Sequence, residues 1–233
     1  MATKVVGGEN KGDYVELQLE SKGEKSTLEA DYVLVAVGRS PNTQDLNLDA
    51  MGISYDKRGF IDVNDDLQIP NKEHIYAIGD CIRGPMLAHK AEEEGIFAAE
   101  HIAGTMCHMN YDAIPGVVYT FPEMAYVGQT EEQLKEAGIK YNKGSFPFMA
   151  NSRARANHDA EGFVKILSDK ETDKILGAHI IAANAGEMIM EAVISIEYGA
   201  SSEDIGRTCH AHPSLSEAFK EACLATYSKP IHF

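Results

Sequence analysis

The sequence predicts an α/β first half followed by an α+β second half. Two observations carry this. Residues 33–38 and 74–79 each run from an apolar, strand-like stretch straight into a glycine, the pattern of strand ends in open α/β sheets. Beyond a change of composition near Tyr111–Pro115, the patterns read strand, helix, hairpin, helix, helix, as in domains whose helices segregate from an antiparallel sheet.

Each element follows from its residues. "YVELQLE" (14–20) alternates apolar and polar, as a half-buried strand does, and "SKGEK" supplies a turn. "STLEADYVLVAVG" reads as an edge strand followed by a buried one ending at Gly38. A further strand, "HIYAIGD", closes at Asp80 after the loop "DLQIPNKE". From Met86 to Ala103 the spacing predicts a helix with Leu87, Ala91, Gly95, Ala98 and Ile102 on one stripe. In the second half, "VVYTFPEMAYVG" gives two short strands around a Phe-Pro turn. "TEEQLKEAG" is a short helix with a Thr130/Gln133 capping box and Gly138 beyond its end. "GFVKILSDKETDKILGAHII" is a hairpin, "AGEMIMEAVISIEYG" a long helix, and a last helix begins just after His212-Pro213. Ile180, Ile181, Met188, Ile189, Val193 and Ile196 exceed what one small domain can bury, which predicts a symmetric dimer.

Composition removes several function classes. At 44% hydrophobic and 24% charged the chain is ordinary for a globular protein, and a net charge of −15 argues against a nucleic-acid partner. No apolar run approaches the roughly 20 residues that span a bilayer, so no membrane partner is expected. "MATKVVGGENKGDYVELQLESKG" resembles neither a signal nor a transit peptide. Cys81, Cys107, Cys209 and Cys223 include no CxxC or CxxxxC pair, and read as reduced thiols of an intracellular protein.

Three stretches carry chemistry. In "VLVAVGRSPNT" (33–43), Gly38 stands where a backbone can approach a cofactor; an ordinary strand-to-loop turn would look the same. In "HIYAIGD", Asp80 could accept hydrogen bonds from sugar or polyol hydroxyls. No G-x-G-x-x-G follows a strand, so no dinucleotide pyrophosphate site is encoded in these residues. In "TCHAHPSLSEAF" (208–219), His210 and His212 would alternate sides if extended, and a metal would need more ligands, so no metal is expected. His212 with Glu217 can instead transfer protons, the carboxylate fixing one ring nitrogen while the other faces a substrate. Glu217 can equally cap the last helix as part of Ser214-Leu-Ser-Glu217.

Taken together, "GRSPNT", "HIYAIGD", "GPMLAHKAEEEG", "TEEQLKEAG", "FMANSRA", "LGAHII", "AGEMI" and "CHAHPSLSEAF" resemble the C-terminal half of the dihydrolipoyl (lipoamide) dehydrogenase branch of the pyridine nucleotide-disulfide oxidoreductases, from about Leu28 to Phe233. The resemblance implies residues 1–42 as the end of an NAD-binding domain, 43–111 as the last segment of an FAD-binding domain and 112–233 as an interface domain. It implies FAD and NAD as cofactors, with Gly38 against NAD, Asp80 on the FAD ribityl chain, and Met86, Leu87, Ala88 and His89 lining the flavin. His212 would be the acid/base for dihydrolipoamide thiol, oriented by Glu217, in the active site of the partner subunit. Ser214 stands where a threonine is expected. The implied partners are a second copy of the chain and the lipoyl domains of 2-oxoacid dehydrogenase complexes, in the mitochondrial matrix of a eukaryote or the cytoplasm of a bacterium. The family's CxxxxC pair and FAD pyrophosphate loop lie in a preceding half, so the chain is expected to be a portion of a longer enzyme and inactive by itself. A non-catalytic homodimerisation module, or part of a related glutathione-type disulfide reductase, remain the alternatives.

Overall fold

The computed structural model describes residues 2–233, and the chain divides into two compact units between Ala91 and Glu92. In the first unit β1 (Thr3–Asn10), β2 (Val15–Ser21) and β3 (Glu24–Ala30) form an antiparallel meander in the order β1-β2-β3. The tight turn between β2 and β3 places Lys22 and Gly23 at positive φ, which the glycine accommodates freely. A two-stranded ladder pairs β4 (Gln68–Ile69) with β5 (Lys72–Tyr76).

Two expectations for this unit need correction. Residues 32–38 are not a buried strand: Leu34 is 89% exposed and Val37 91% exposed. A strand apolar on both faces needs neighbours on both, and no strand among the described residues pairs with it. The segment "HIYAIGD" is strand only as far as Tyr76; Gly79, at φ +76°, turns the backbone into a short 3₁₀ turn over Gly79–Cys81.

The helix α1 (Ala88–Ala103) forms, but its buried stripe is shifted from the expected one. Lys90, Glu94, Phe97 and Ala98 are buried, whereas Ile102 is two-thirds exposed. Long polar side chains occupy the covered face, which a count of apolar residues alone does not register.

The second unit is built on a five-stranded antiparallel sheet in the order β6-β7-β10-β9-β8. Its strands are β6 (Gly116–Val118), β7 (Glu123–Gly128), β8 (Tyr141–Pro147), β9 (Phe163–Asp169) and β10 (Ile175–Ala182). The short helices are α2 (Glu131–Glu136), α3 (Ser152–Ala156) and α5 (Ser202–Arg207). Both halves of the Thr130/Gln133 capping box are present at α2, and Gly138 at φ +70° lies beyond its end. Strand β8 and helices α3 and α5 went unread in the sequence.

The longer helices α4 (Ala185–Glu197) and α6 (Glu217–Tyr227) pack on one face of this sheet, α4 along β7 and β10, α6 along β8 and β9. Ala125, Val127, Phe146, Val164, Ile166, Ala178, Ile180, Ile189 and Phe219 form the core between them. Gly144 lets α6 approach: a Cβ there would collide with the backbone of Ala222 and Thr226. Of the residues expected to be in excess, Ile180 and Ile189 are fully buried, and Met188, Val193 and Ile196 pack against the core. The exposed apolar residues of α4 are instead Met190, Ile194 and Tyr198 just past its end, spaced four apart.

Candidate active site

The segment after α5 is held at both ends by backbone chemistry. Thr208 closes α5, its N–H bonding to Asp204 and Ile205 carbonyls and its hydroxyl donating to Asp204 O at 2.8 Å. The Thr208 carbonyl then accepts from Lys220 Nζ at 2.7 Å and from His210 Nδ1 at 3.0 Å. His210 Nε2 lies 2.7 Å from Glu191 Oε1 on α4, with the imidazole only 8% exposed. His212 and Pro213 are joined by a cis peptide bond. Asn151, almost fully buried, donates to the Ser214 carbonyl at 2.9 Å while its Oδ1 caps α3 through Ala154 N–H.

His212 and Glu217 meet as expected. The imidazole Nδ1 is 2.9 Å from Glu217 Oε1, and Glu217 Oε2 accepts the Ser214 N–H at 2.9 Å. A carboxylate oxygen can only accept, so Nδ1 carries the hydrogen and Nε2 is the acceptor in the neutral ring. The imidazole is 66% exposed, against 21% for Glu217. The pair borders a cavity of about 20 Å³, also lined by Phe146, Asn151, Ser152, Glu221 and His232, with room for about one water.

Electrostatics favour a charged Glu217. Its partial burial opposes ionisation, but the Ser214 N–H, the hydrogen bond from His212 and the His212 charge outweigh that and lower its pKa. Burial dominates at Glu191 and raises its pKa, with the His210 hydrogen bond acting against it.

The last helix does not begin directly after Pro213. It starts at Glu217, and only half of the expected capping box forms: Ser214 N–H reaches Glu217, but the buried Ser214 Oγ has no hydrogen-bond partner. Glu217 bonds His212 with its other oxygen, and that is where the capping geometry gives way to the dyad.

The other site residues lie in the first unit. Gly38 adopts φ +118°, open only to glycine without strain, and nothing lies where its Cβ would be. Arg39 Nη2 is 3.4 Å from Asp80 Oδ2, so "GRSPNT" and "HIYAIGD" come together. Asp80 sits in the 3₁₀ turn before α1 with its carboxylate partly exposed. Met86 and Leu87 are half-buried, and Ala88 and His89 are exposed at the opening turn of α1. Lys90 was missed in the sequence; it is fully buried and donates to the Gly79 carbonyl at 3.3 Å, securing the turn that carries Asp80. Its signal was its place three residues after Leu87, on the helix's covered side. A partly exposed acceptor beside a helix N-terminus fits the polyol chain of a flavin nucleotide and a ring that gains negative charge on reduction. Among the described residues, no group of three His, Cys, Asp or Glu could hold a metal ion.

The chain belongs to the pyridine nucleotide-disulphide oxidoreductases. The family's main model matches residues 1–95 and its dimerisation domain residues 114–223. Among individual proteins, the whole chain is 61% identical to dihydrolipoyl dehydrogenase 2, mitochondrial, of Arabidopsis thaliana, and 59% identical to the mitochondrial dihydrolipoyl dehydrogenase of Pisum sativum. It spans 46% of the length of each. In solved structures it is similar to LpdA of Mycobacterium tuberculosis, with TM-score 0.86 and 25% identity over 95% of this chain and 48% of that one. The HOCl-induced flavoprotein disulfide reductase RclA of Escherichia coli follows at TM-score 0.81 and 26% identity, over 94% of this chain and 50% of that one. No helix among the described residues is long and apolar enough to cross a membrane.

Proposed function

We propose that the chain is the C-terminal part of an FAD- and NAD-dependent enzyme that oxidises protein-bound dihydrolipoamide to lipoamide, acting as a homodimer in the mitochondrial matrix. The observation that carries this is the His212–Glu217 dyad, with Nδ1 committed to the carboxylate at 2.9 Å and the imidazole largely exposed. Relatives named dihydrolipoyl dehydrogenase support the substrate class.

A thiol with an ordinary pKa of about 8.5 is mostly protonated at neutral pH, and only the thiolate attacks a disulfide. His212 Nε2 takes that proton, and Glu217 stabilises the resulting imidazolium while holding the ring in place. None of the four cysteines forms a CxxxxC pair, so the disulfide under attack comes from outside these 233 residues. Asp80 would accept hydrogen bonds from the FAD ribityl chain, with residues 86–89 beside the ring and Gly38 beside NAD; when bound, FAD accepts the electron pair and NAD carries it away as hydride. The dyad serves the partner subunit's site, and residues 112–233 form the interface.

The test is NAD-linked thiol oxidation by the FAD-containing protein purified from its source. Turnover with dihydrolipoamide well above that with reduced glutathione supports the proposal. The reverse preference, or a colourless dimer without turnover, replaces it with a glutathione-type reductase or a dimerisation module respectively.

A further inference from the structure

The proton chemistry proposed above uses His212 and Glu217, yet a second, more deeply buried His–Glu pair lies two residues away and has no part in it. His210 is nearly enclosed, and both of its ring nitrogens are engaged. The Thr208 carbonyl can only accept, so His210 Nδ1 carries a hydrogen toward it. The 2.7 Å separation of Nε2 from Glu191 Oε1 then requires one further hydrogen between them, on whichever of the two atoms holds it. Glu191 belongs to α4, and Lys220, which grips the same Thr208 carbonyl, belongs to α6. The pair thus ties the loop to the helix on one side of it, and Lys220 ties it to the helix on the other.

His212 itself has one anchor, Glu217, and is otherwise exposed. The direction of its ring is therefore inherited from the backbone of residues 208–213. We infer that His210 and Glu191 are positioning residues for His212: their hydrogen bond fixes the Thr208–Pro213 segment so that His212 Nδ1 meets Glu217. This deepens the reading of His212 as the acid/base and rests on it for its catalytic consequence, but the geometric claim stands by itself.

Glu191→Ala removes the anchor. Glu191→Gln keeps it, because the amide N–H can donate to His210 Nε2 while Nδ1–H stays on Thr208. The experiment is histidine-labelled NMR of the FAD-containing protein, following the His212 ring-nitrogen resonances at one fixed pH in four backgrounds: unaltered, Glu217→Gln, Glu191→Ala and the double variant. In the unaltered background Glu217→Gln moves the His212 Nδ1 resonance, because the ring loses its carboxylate partner; in the Glu191→Ala background the same substitution leaves it unmoved, as a double-mutant cycle requires when the contact is already lost. Stopped-flow reduction by dihydrolipoamide should fall about 10- to 100-fold in Glu191→Ala, the range of a misplaced catalytic group, and return to within about threefold in Glu191→Gln. Reduction by NADH should stay unchanged in both.

If the Glu217 effect on His212 persists in Glu191→Ala, the positioning role is wrong. Should Glu191→Ala fail to fold, Glu191→Asp serves in its place, since it withdraws the carboxylate by one methylene; an undiminished coupling there overturns the inference equally. Failure of the underlying function looks different, because His212→Gln would then retain full dihydrolipoamide reactivity while the NMR coupling behaved as stated.

Discussion

His212 Nδ1 stands 2.9 Å from Glu217 Oε1, and the second oxygen of the same carboxylate takes the Ser214 N–H at 2.9 Å. One side chain at the first residue of α6 thus holds the His212 ring and ties down the backbone at Ser214. Because Glu217 is pinned at both oxygens, its rotation does not detune His212.

This double engagement sets a pH dependence. Glu217 has a folded pKa below its unfolded value of about 4.3. A depressed carboxyl contributes stability that is present above the unfolded pKa and lost as pH falls through the folded one. The melting temperature of the protein should exceed that of Glu217→Gln near neutrality, and the gap should close as pH drops below about 4. Thermal melts of both proteins from pH 7 to 3 check this; a gap that widens on acidification contradicts it.

The core of the second unit makes a packing prediction. Ile180 is fully buried on β10 at the centre of the five-stranded sheet. Ile180→Ala should cost about 2–5 kcal/mol. At about 2–4 °C per kcal/mol for a chain of this size, that is a drop of several degrees or more, readable by calorimetry. Gly144→Ala should be at least comparably damaging, because the added methyl meets the α6 backbone rather than a movable side chain.

Residues 32–37 make the opposite prediction. Leu34→Ser and Val37→Ser should leave the stability of this 233-residue polypeptide within about 0.5 kcal/mol, since both side chains already face solvent. The same changes should raise its solubility, because "YVLVAV" is an uncovered strand-forming stretch. Urea midpoints and sedimentation of the two variants test both halves of the statement.

What the sequence made legible was local. The Thr130/Gln133 box, the β9–β10 hairpin and the five-residue spacing of His212 and Glu217 are each set by neighbours along the chain. His210 with Glu191 was not legible, because the partners are 19 residues apart and meet only when α4 and α6 pack on one face of the sheet. Lys90 and Glu94 escaped for a related reason: a buried polar residue is identified by its partners, such as the Tyr111 hydroxyl at 2.9 Å from Glu94, and not by periodicity. Residues 32–38 have the composition of a central strand, but composition does not say which chain segment supplies the neighbours. Asn151 lay inside a recognised motif, yet its bond to the Ser214 carbonyl spans 63 residues and joins two turns with no common pattern.

The claim that His212 is the acid/base is tested most directly by rapid-mixing of the FAD-containing His212→Gln protein with each reductant in turn. Reduction by dihydrolipoamide should slow by about 10²–10⁴-fold, the contribution of a positioned proton acceptor, while reduction by NADH proceeds at the unaltered rate. Equal slowing in both reactions, or none in either, would contradict it.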